Sequence, residues 1–284
     1  NKLDDRKNLV LSEMKNAGFI SESEYQKAIE EKVEFKPKQS TGIRAPHFVF
    51  YVTDYLKKKY GDDVLESGGL RVITTLDIEI QEKGEEIAQK YALENKVTFN
   101  AENAAFVALD PRSGQILAMI GSRNYFDKEI DGNFNVAIAH RQPGSTFKPF
   151  VYAEAFNKGY TPETVLFDVK TQFAAACKPD NETSENNCYS PDNYDGKFRG
   201  PITLRSALAQ SINVPSVKTL YLAGLEDSLS LARNMGVESL GEASQYGLTL
   251  VLGGGAVTPL EIPSPHGTFA SRGLKNNPVS TLAL

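Results

Sequence analysis

Two short motifs carry residue types and spacings suited to acyl chemistry. In HRQPGSTFKPF, residues 140–150, Ser145 and Lys148 stand three positions apart, directly after Pro143-Gly144. Pro-Gly favours a turn, and Pro149 is tolerated in a helix only within its first turn. The segment therefore reads as a loop that delivers Ser145 to a helix N-terminus. Positions i and i+3 of a helix share a face, which puts the lysine on the side of the serine. Lys148 itself precedes a proline, where the α region is disfavoured. A serine hydroxyl is a poor nucleophile until a base takes its proton. Lysine serves as that base only when neutral, and moving its pKa from about 10.4 to near 7 represents roughly 4.6 kcal/mol of destabilised charge. Desolvation and the positive end of a helix dipole both act in that direction. Amides at the same terminus could stabilise an oxyanion formed at a substrate carbonyl.

The second motif is Ser211-Ile212-Asn213, which lies between two helix-forming segments, with Val214-Pro215 opening the second. A serine there could relay protons and an asparagine could fix a substrate amide. Neither motif is specific alone. About one Ser-x-x-Lys is expected by chance in such a chain, and Ser12–Lys15 supplies a decoy inside an amphipathic helical pattern. Ser-x-Asn also occurs at 122–124 and 184–186. Read locally, Ser145 is as well explained as a helix cap with an exposed Lys148, and Asn213 as a residue tolerated at a helix C-terminus.

The elements that must position these residues are legible in outline. RKNLVLSEMKNA, residues 6–17, predicts a helix ending at Gly18, and the capping box Ser21–Glu24 opens a second one to about residue 31. EFKPKQSTG, 34–42, reads as a linker. Pro46 suits the first turn of a helix that runs to Tyr60, with Gly61 beyond. GLRVITTL is strand-like, and a charged helix follows over 77–95. NAAFVAL and QILAMIG, joined by DPRSG, form the clearest hairpin; both runs are so apolar that helices should cover at least one face. Residues 127–143 read as a loop and 168–201 as irregular polar chain. Helices are expected from the Thr203 cap, from Pro215 to Gly224, and over LEDSLSLARNMG to Gly236. The run Gly253–Gly255 lacks the Lys-Ser/Thr of a nucleotide loop and suits backbone crowding. A capping box at Thr258–Glu261 follows. Helices, then a hairpin, then helices point to an α+β fold.

Composition narrows the function classes. The 284 residues are 40% hydrophobic and 24% charged, with net charge −5, ordinary for a globular chain. No basic stripe with interleaved aromatics occurs, which argues against nucleic acid as a partner. No apolar run is long enough to span a membrane, so any anchor is expected upstream. The histidines at 47, 140 and 266 are scattered and no CxxC is present, so no metal or other cofactor is expected. Cys177 and Cys188 bracket a polar stretch and are open to two readings, free thiols or a loop-closing disulfide of an oxidising compartment.

Taken jointly, the motifs resemble class A penicillin-binding proteins, the bifunctional enzymes of bacterial peptidoglycan synthesis. ALDPRSGQILAMIGSRNY is similar to the hairpin before their active serine, and RQPGSTFKPFVYAEAFNKGYTPETV to the serine helix. NYDGKFRGPITLRSALAQSINVPSVK resembles the region of their second motif, and LTLVLGGGAVTPLE their glycine turn and next helix. The order of these segments is specific where each motif is not.

The resemblance implies the penicillin-binding and serine-β-lactamase-like fold, an antiparallel sheet flanked by helices. It implies Ser145 as the acyl-accepting nucleophile, Lys148 as its base, Ser211 as a proton shuttle to the leaving amine, and Asn213 as a hydrogen-bonding partner of the substrate or of Lys148. The substrates implied are peptidoglycan stem peptides ending in D-Ala-D-Ala, with β-lactam antibiotics acylating the same serine outside the cytoplasm. Residues 1–40 resemble the tail of a glycosyltransferase domain, 41–100 a linker region and 101–284 the transpeptidase domain. Polymerisation of glycan strands is implied for a longer parent protein.

Two departures stand out. The family's third motif, Lys-Thr/Ser-Gly, is missing: Lys170-Thr171 is followed by Gln172, and Lys218-Thr219 by Leu220. The domain is therefore expected to stop before that motif and its C-terminal strands, losing part of the oxyanion hole and leaving an unpaired edge beside the hairpin. In EIPSPHGTFA, Pro263 and Pro265 should break the helix that the family continues there. Two alternatives stay open: a D,D-carboxypeptidase or β-lactamase that passes the acyl group to water, which would need a base over the acyl-enzyme, and, favoured by the missing third motif, an incomplete module that binds peptidoglycan or a partner without turnover.

Overall fold

The computed structural model describes residues 2–31, 42–184 and 187–283. They divide into two compact units, Asn1–Arg44 and Ala45–Leu284. In the first, helix α1 (Lys2–Asn16) is followed by α2 (Glu22–Glu30). The predicted capping box forms, with Glu24 N–H on Ser21 Oγ and Ser21 N–H on Glu24 Oε2 at 2.7 Å. Lys7 on α1 closes the end of α2 by donating to the Ile29 and Glu31 carbonyls, cation against the negative helix terminus. Most of the predicted linker, residues 34–41, lies outside the described residues.

The second unit opens with α3 (Pro46–Tyr60) and a short α4 (Asp62–Glu66). Strand β1 (Ile73–Thr74) leads into α5 (Ile78–Phe99), whose N-terminus Asp77 caps through its carboxylate on Glu79 and Ile80 N–H. The hairpin is β2 (Phe106–Leu109) and β3 (Ile116–Ile120), antiparallel, pairing Phe106 with Ile120 and Ala108 with Ala118. Helices cover it as the apolar pattern requires. Phe48, Val52 and Leu56 of α3 share one buried cluster with Ile116 and Met119, while Ala88 of α5 shares another with Ala118 and Ile120. Gln81 of α5 fixes the register by exchanging hydrogen bonds with both backbone groups of Met119.

The remaining elements frame the site. A 3-10 turn over Gly144–Phe147 runs into α6 (Lys148–Asn157). Strand β4 (Val165–Asp168) pairs with β5 (Gly200–Thr203), which feeds α7 (Leu204–Ala209). Helices α8 (Asn213–Ala223) and α9 (Leu225–Met235) follow, then α10 (Pro263–Ala270) and β6 (Thr281–Ala283). One buried cluster joins Phe147, Phe150, Val151 and Ala155 on the α6 side to Val217 and Leu220 of α8, Leu229 and Ala232 of α9, and Leu250 and Val251. Burial of side chains this size, worth about 1.5–3 kcal/mol each, holds α6 against α8. Cys177 and Cys188 are joined in a disulfide.

Three local expectations are corrected. The strand-like 69–76 contracts to Ile73–Thr74 and pairs with β6, Ile73 opposite Ala283. Its neighbour Thr75 turns its hydroxyl to the Ile116 and Val279 carbonyls instead of extending the strand. Lys148 adopts helical φ −52 and ψ −44 despite the proline after it; the fully buried Phe147 and Phe150 on either side override the local preference. Pro263 and Pro265 do not break a helix but start one. At the first and third helical positions a missing N–H costs no intrahelical bond.

Candidate active site

Ser145 lies in the 3-10 turn at the head of α6, and its side chain is exposed. The turn is made tight from outside. Gly253 approaches so closely that a Cβ there would collide with the backbone of Gly144, and Gly144 itself has φ 59. The glycine run is thus explained by backbone crowding next to the serine. A pair of backbone hydrogen bonds between Arg141 and Val257 ties the incoming loop to the segment after that run.

Lys148 begins α6 one turn later and is only 1% exposed. Its Nζ donates to three neutral oxygens: the Ser211 carbonyl at 2.7 Å, Asn213 Oδ1 at 2.9 Å and Ser211 Oγ at 3.1 Å. Among the described residues no carboxylate pairs with it. Removal from water is therefore not offset by an opposite charge, and burial pushes the ammonium pKa down to about 8. That falls short of the drop to near 7 considered from sequence, yet leaves about one lysine in ten neutral at pH 7. Of the four predicted residues, Lys148, Ser211 and Asn213 are brought into hydrogen-bond contact, while Ser145, in the turn three positions before Lys148, makes no side-chain hydrogen bond among the described residues.

Ser211 holds φ 54, a left-handed backbone that glycine usually occupies after a helix C-terminus. Its N–H bonds the Leu208 carbonyl and that of Ile212 bonds Ala207, closing α7. It is Ser211, not Asn213, that takes the C-terminal position; Asn213 is the first residue of α8. A non-glycine residue held there stores about 1–3 kcal/mol of strain, as functional positions often do.

Three further residues shape the site, and none was singled out from the sequence: Asp168 ends β4, and Asp192 and Asn193 lie in the polar chain after it. Asp192 accepts Asn213 Nδ2 on its carbonyl at 3.0 Å, which aims Oδ1 of Asn213 at the lysine. Asn193 Oδ1 accepts the N–H groups of Asn213 and Val214, both at 3.1 Å. Asn193 Nδ2 donates to both oxygens of Asp168, a fully buried carboxylate. Such contacts span 20 or more positions, a range no periodicity reports. Among the described residues no three His, Cys, Asp or Glu side chains gather to hold a metal.

A buried lysine with a lowered pKa, one turn after an exposed serine, is a residue set that could carry acyl transfer through a covalent ester. Comparison with known proteins agrees in both sequence and fold. The family model of the penicillin-binding protein transpeptidase domain matches residues 104–279. Penicillin-binding protein 2D of Bacillus subtilis is 33% identical over 285 residues, covering 98% of this chain and 38% of that protein. Penicillin-binding protein 1B of Vibrio cholerae is 31% identical, with 98% and 34% covered. The crystal structure of penicillin-binding protein 1A from Haemophilus influenzae superposes with a TM-score of 0.74 at 20% identity, covering 98% of this chain and 53% of that one. The chain thus spans a little over a third of the length of the curated relatives it matches.

Proposed function

This chain belongs to the penicillin-binding protein transpeptidase family, and we propose that it is the serine D,D-transpeptidase part of a class A penicillin-binding protein that cross-links peptidoglycan stem peptides. The observation that carries the reading is Lys148, buried, unpaired with any carboxylate among the described residues and bound to Ser211 and Asn213. In this mechanism Lys148 Nζ takes the Ser145 proton as Oγ attacks the carbonyl of the penultimate D-alanine. The C–N bond breaks, the terminal D-alanine leaves with a proton delivered through Ser211 Oγ, and the acyl group remains as an ester on Ser145. Asn213 orients the substrate amide or the lysine. The amine of a neighbouring stem then attacks the ester, the C–O bond breaks, and the proton returns to Oγ. A β-lactam acylates Ser145 in the same first step.

Residues 1–40 fit the tail of a glycosyltransferase domain, 41–100 a linker region and 101–284 the transpeptidase domain, so the parent protein is proposed also to polymerise glycan strands. The Cys177–Cys188 disulfide supports an extracytoplasmic location. The lifetime of the benzylpenicillin adduct, followed by intact mass, separates transferase from hydrolase. A transpeptidase holds the adduct for many minutes. Rapid return of free protein with stoichiometric excess of hydrolysed antibiotic would instead assign a β-lactamase, and a folded chain that never forms an adduct a non-catalytic module.

A further inference from the structure

The N-terminus of α8 presents an unusual problem. Its N-cap position is Ile212, which has no side-chain oxygen to accept the first amides. The missing acceptor comes from elsewhere in the chain: Asn193 Oδ1 receives both Asn213 and Val214 N–H. Which end of this amide faces the helix is decided by chemistry, since only the NH2 end can meet a carboxylate and a carbonyl. That end donates to Asp168 at 2.8 and 3.0 Å and to the Lys197 carbonyl at 2.8 Å. Asp168 also accepts Arg199 N–H at 2.9 Å and is 0% exposed, at the end of β4. A buried side-chain acceptor on the NH2 end of the Asn193 amide polarises it and strengthens the bonds that its oxygen makes.

We propose that Asp168 and Asn193 form a positioning relay that locks the start of α8, so that Asn213 Oδ1 and the Ser211 carbonyl are held against Lys148 Nζ and water is kept from it. The role builds on the function proposed above and adds two residues that touch neither substrate nor nucleophile. Structural capping alone would support α8 as a helix. The relay goes further, because the first residue it clamps is the one that contacts the lysine, and Asp192 beside it clamps that residue's side chain.

Among the described residues no hydrogen bond or ion pair joins Lys148 Nζ to a titratable side chain. On the elements packed against α6, His266 of α10 lies edge-on against the Phe150 ring. Arg205 on α7 pairs with Glu163, Lys218 on α8 donates to the Phe167 carbonyl, Asp227 on α9 pairs with Lys158, and Glu154 on α6 itself accepts from Asn157. Burial is the cause of the lysine's lowered pKa, so loosening the wall made by Ser211 and Asn213 admits water and lets that pKa climb.

The test titrates Lys148 directly, by NMR of 13C-labelled lysine in the full chain, with Lys148→Arg to assign the signal. Asn193→Ala and Asp168→Asn should each raise the Lys148 midpoint from about 8 by a unit or more, and slow β-lactam acylation at pH 7 about tenfold per unit. An unchanged midpoint in a folded variant overturns the relay. Should both variants fail to fold, amide exchange in the wild-type chain decides: slow exchange at Asn213 and Val214 is required, and fast exchange there contradicts the cap. These readouts need no turnover. A wild-type chain with a low Lys148 midpoint that never reacts with benzylpenicillin would sink the proposed function and leave the relay standing.

Discussion

At the scale of single residues, the site combines a buried cation with a strained backbone. Lys148 is held by three neutral oxygens and, among the described residues, pairs with no carboxylate, the condition under which burial lowers the ammonium pKa and lets a fraction of the lysine lose its proton near neutrality. Ser211 carries the strain. Replacing it with glycine relieves the left-handed φ of 54 but removes the hydroxyl at 3.1 Å from Nζ. Ser211→Gly should therefore unfold at the wild-type midpoint or above it, while β-lactam acylation slows about a hundredfold, the usual scale for a lost proton-transfer group. Thermal unfolding and acylation kinetics on the same sample check both halves. A variant that loses stability and keeps its rate would make Ser211 purely structural. The Ser145–Lys148 spacing was legible in the sequence because turn and proline chemistry are local. Their neighbours Asp168, Asp192 and Asn193 were not, since a carboxylate bound by a side chain 25 positions away leaves no local pattern.

Elements announced by capping or turn chemistry emerged where the sequence put them. The box at Ser21–Glu24, the Thr203 cap and the hairpin around DPRSG are short-range devices. Misreadings came where tertiary contacts decide, as at Thr75, whose hydroxyl joins the Ile116 carbonyl of β3 to that of the distant Val279, and at Pro263, which opens α10. The Thr258–Glu261 contacts do form, yet they close the turn ahead of that helix. The join between α3 and the hairpin yields a pH prediction. His47, buried on α3, hydrogen-bonds Ser122 Oγ at 2.9 Å, and that hydroxyl in turn donates to the Gly132 carbonyl. Burial holds the imidazole pKa below its ordinary 6.5. As pH falls the unfolded chain takes up the proton first, so this stabilising preference for the neutral ring is lost below about pH 6.5, by at most about 1.4 kcal/mol per pH unit. Urea unfolding from pH 7 to pH 5 should show the wild type losing stability faster than His47→Gln. Parallel curves would contradict it.

For the whole molecule, the α6–α8 core and the α3- and α5-covered hairpin form one compact unit within Ala45–Leu284. The α+β class and the family were readable because four ordered segments agree, whereas the pairing of β1 with β6, residue 73 against 283, joins the two ends of that unit and was not. Among the described strands β2 and β3 pair only with each other, apart from a bridge between Gln115 and Val279. The Lys-Thr/Ser-Gly motif does not occur in these 284 residues, and losing one oxyanion donor typically costs about 2.7 to 4 kcal/mol in rate. Slow acylation is thus compatible with the account; acylation at the wrong residue is not. The most direct test is intact mass and peptide mapping after benzylpenicillin, for the wild-type chain and for Ser145→Ala. The account predicts one adduct, on the peptide that holds Ser145, and none on the variant. An adduct that persists in Ser145→Ala, or maps to another serine, would contradict it.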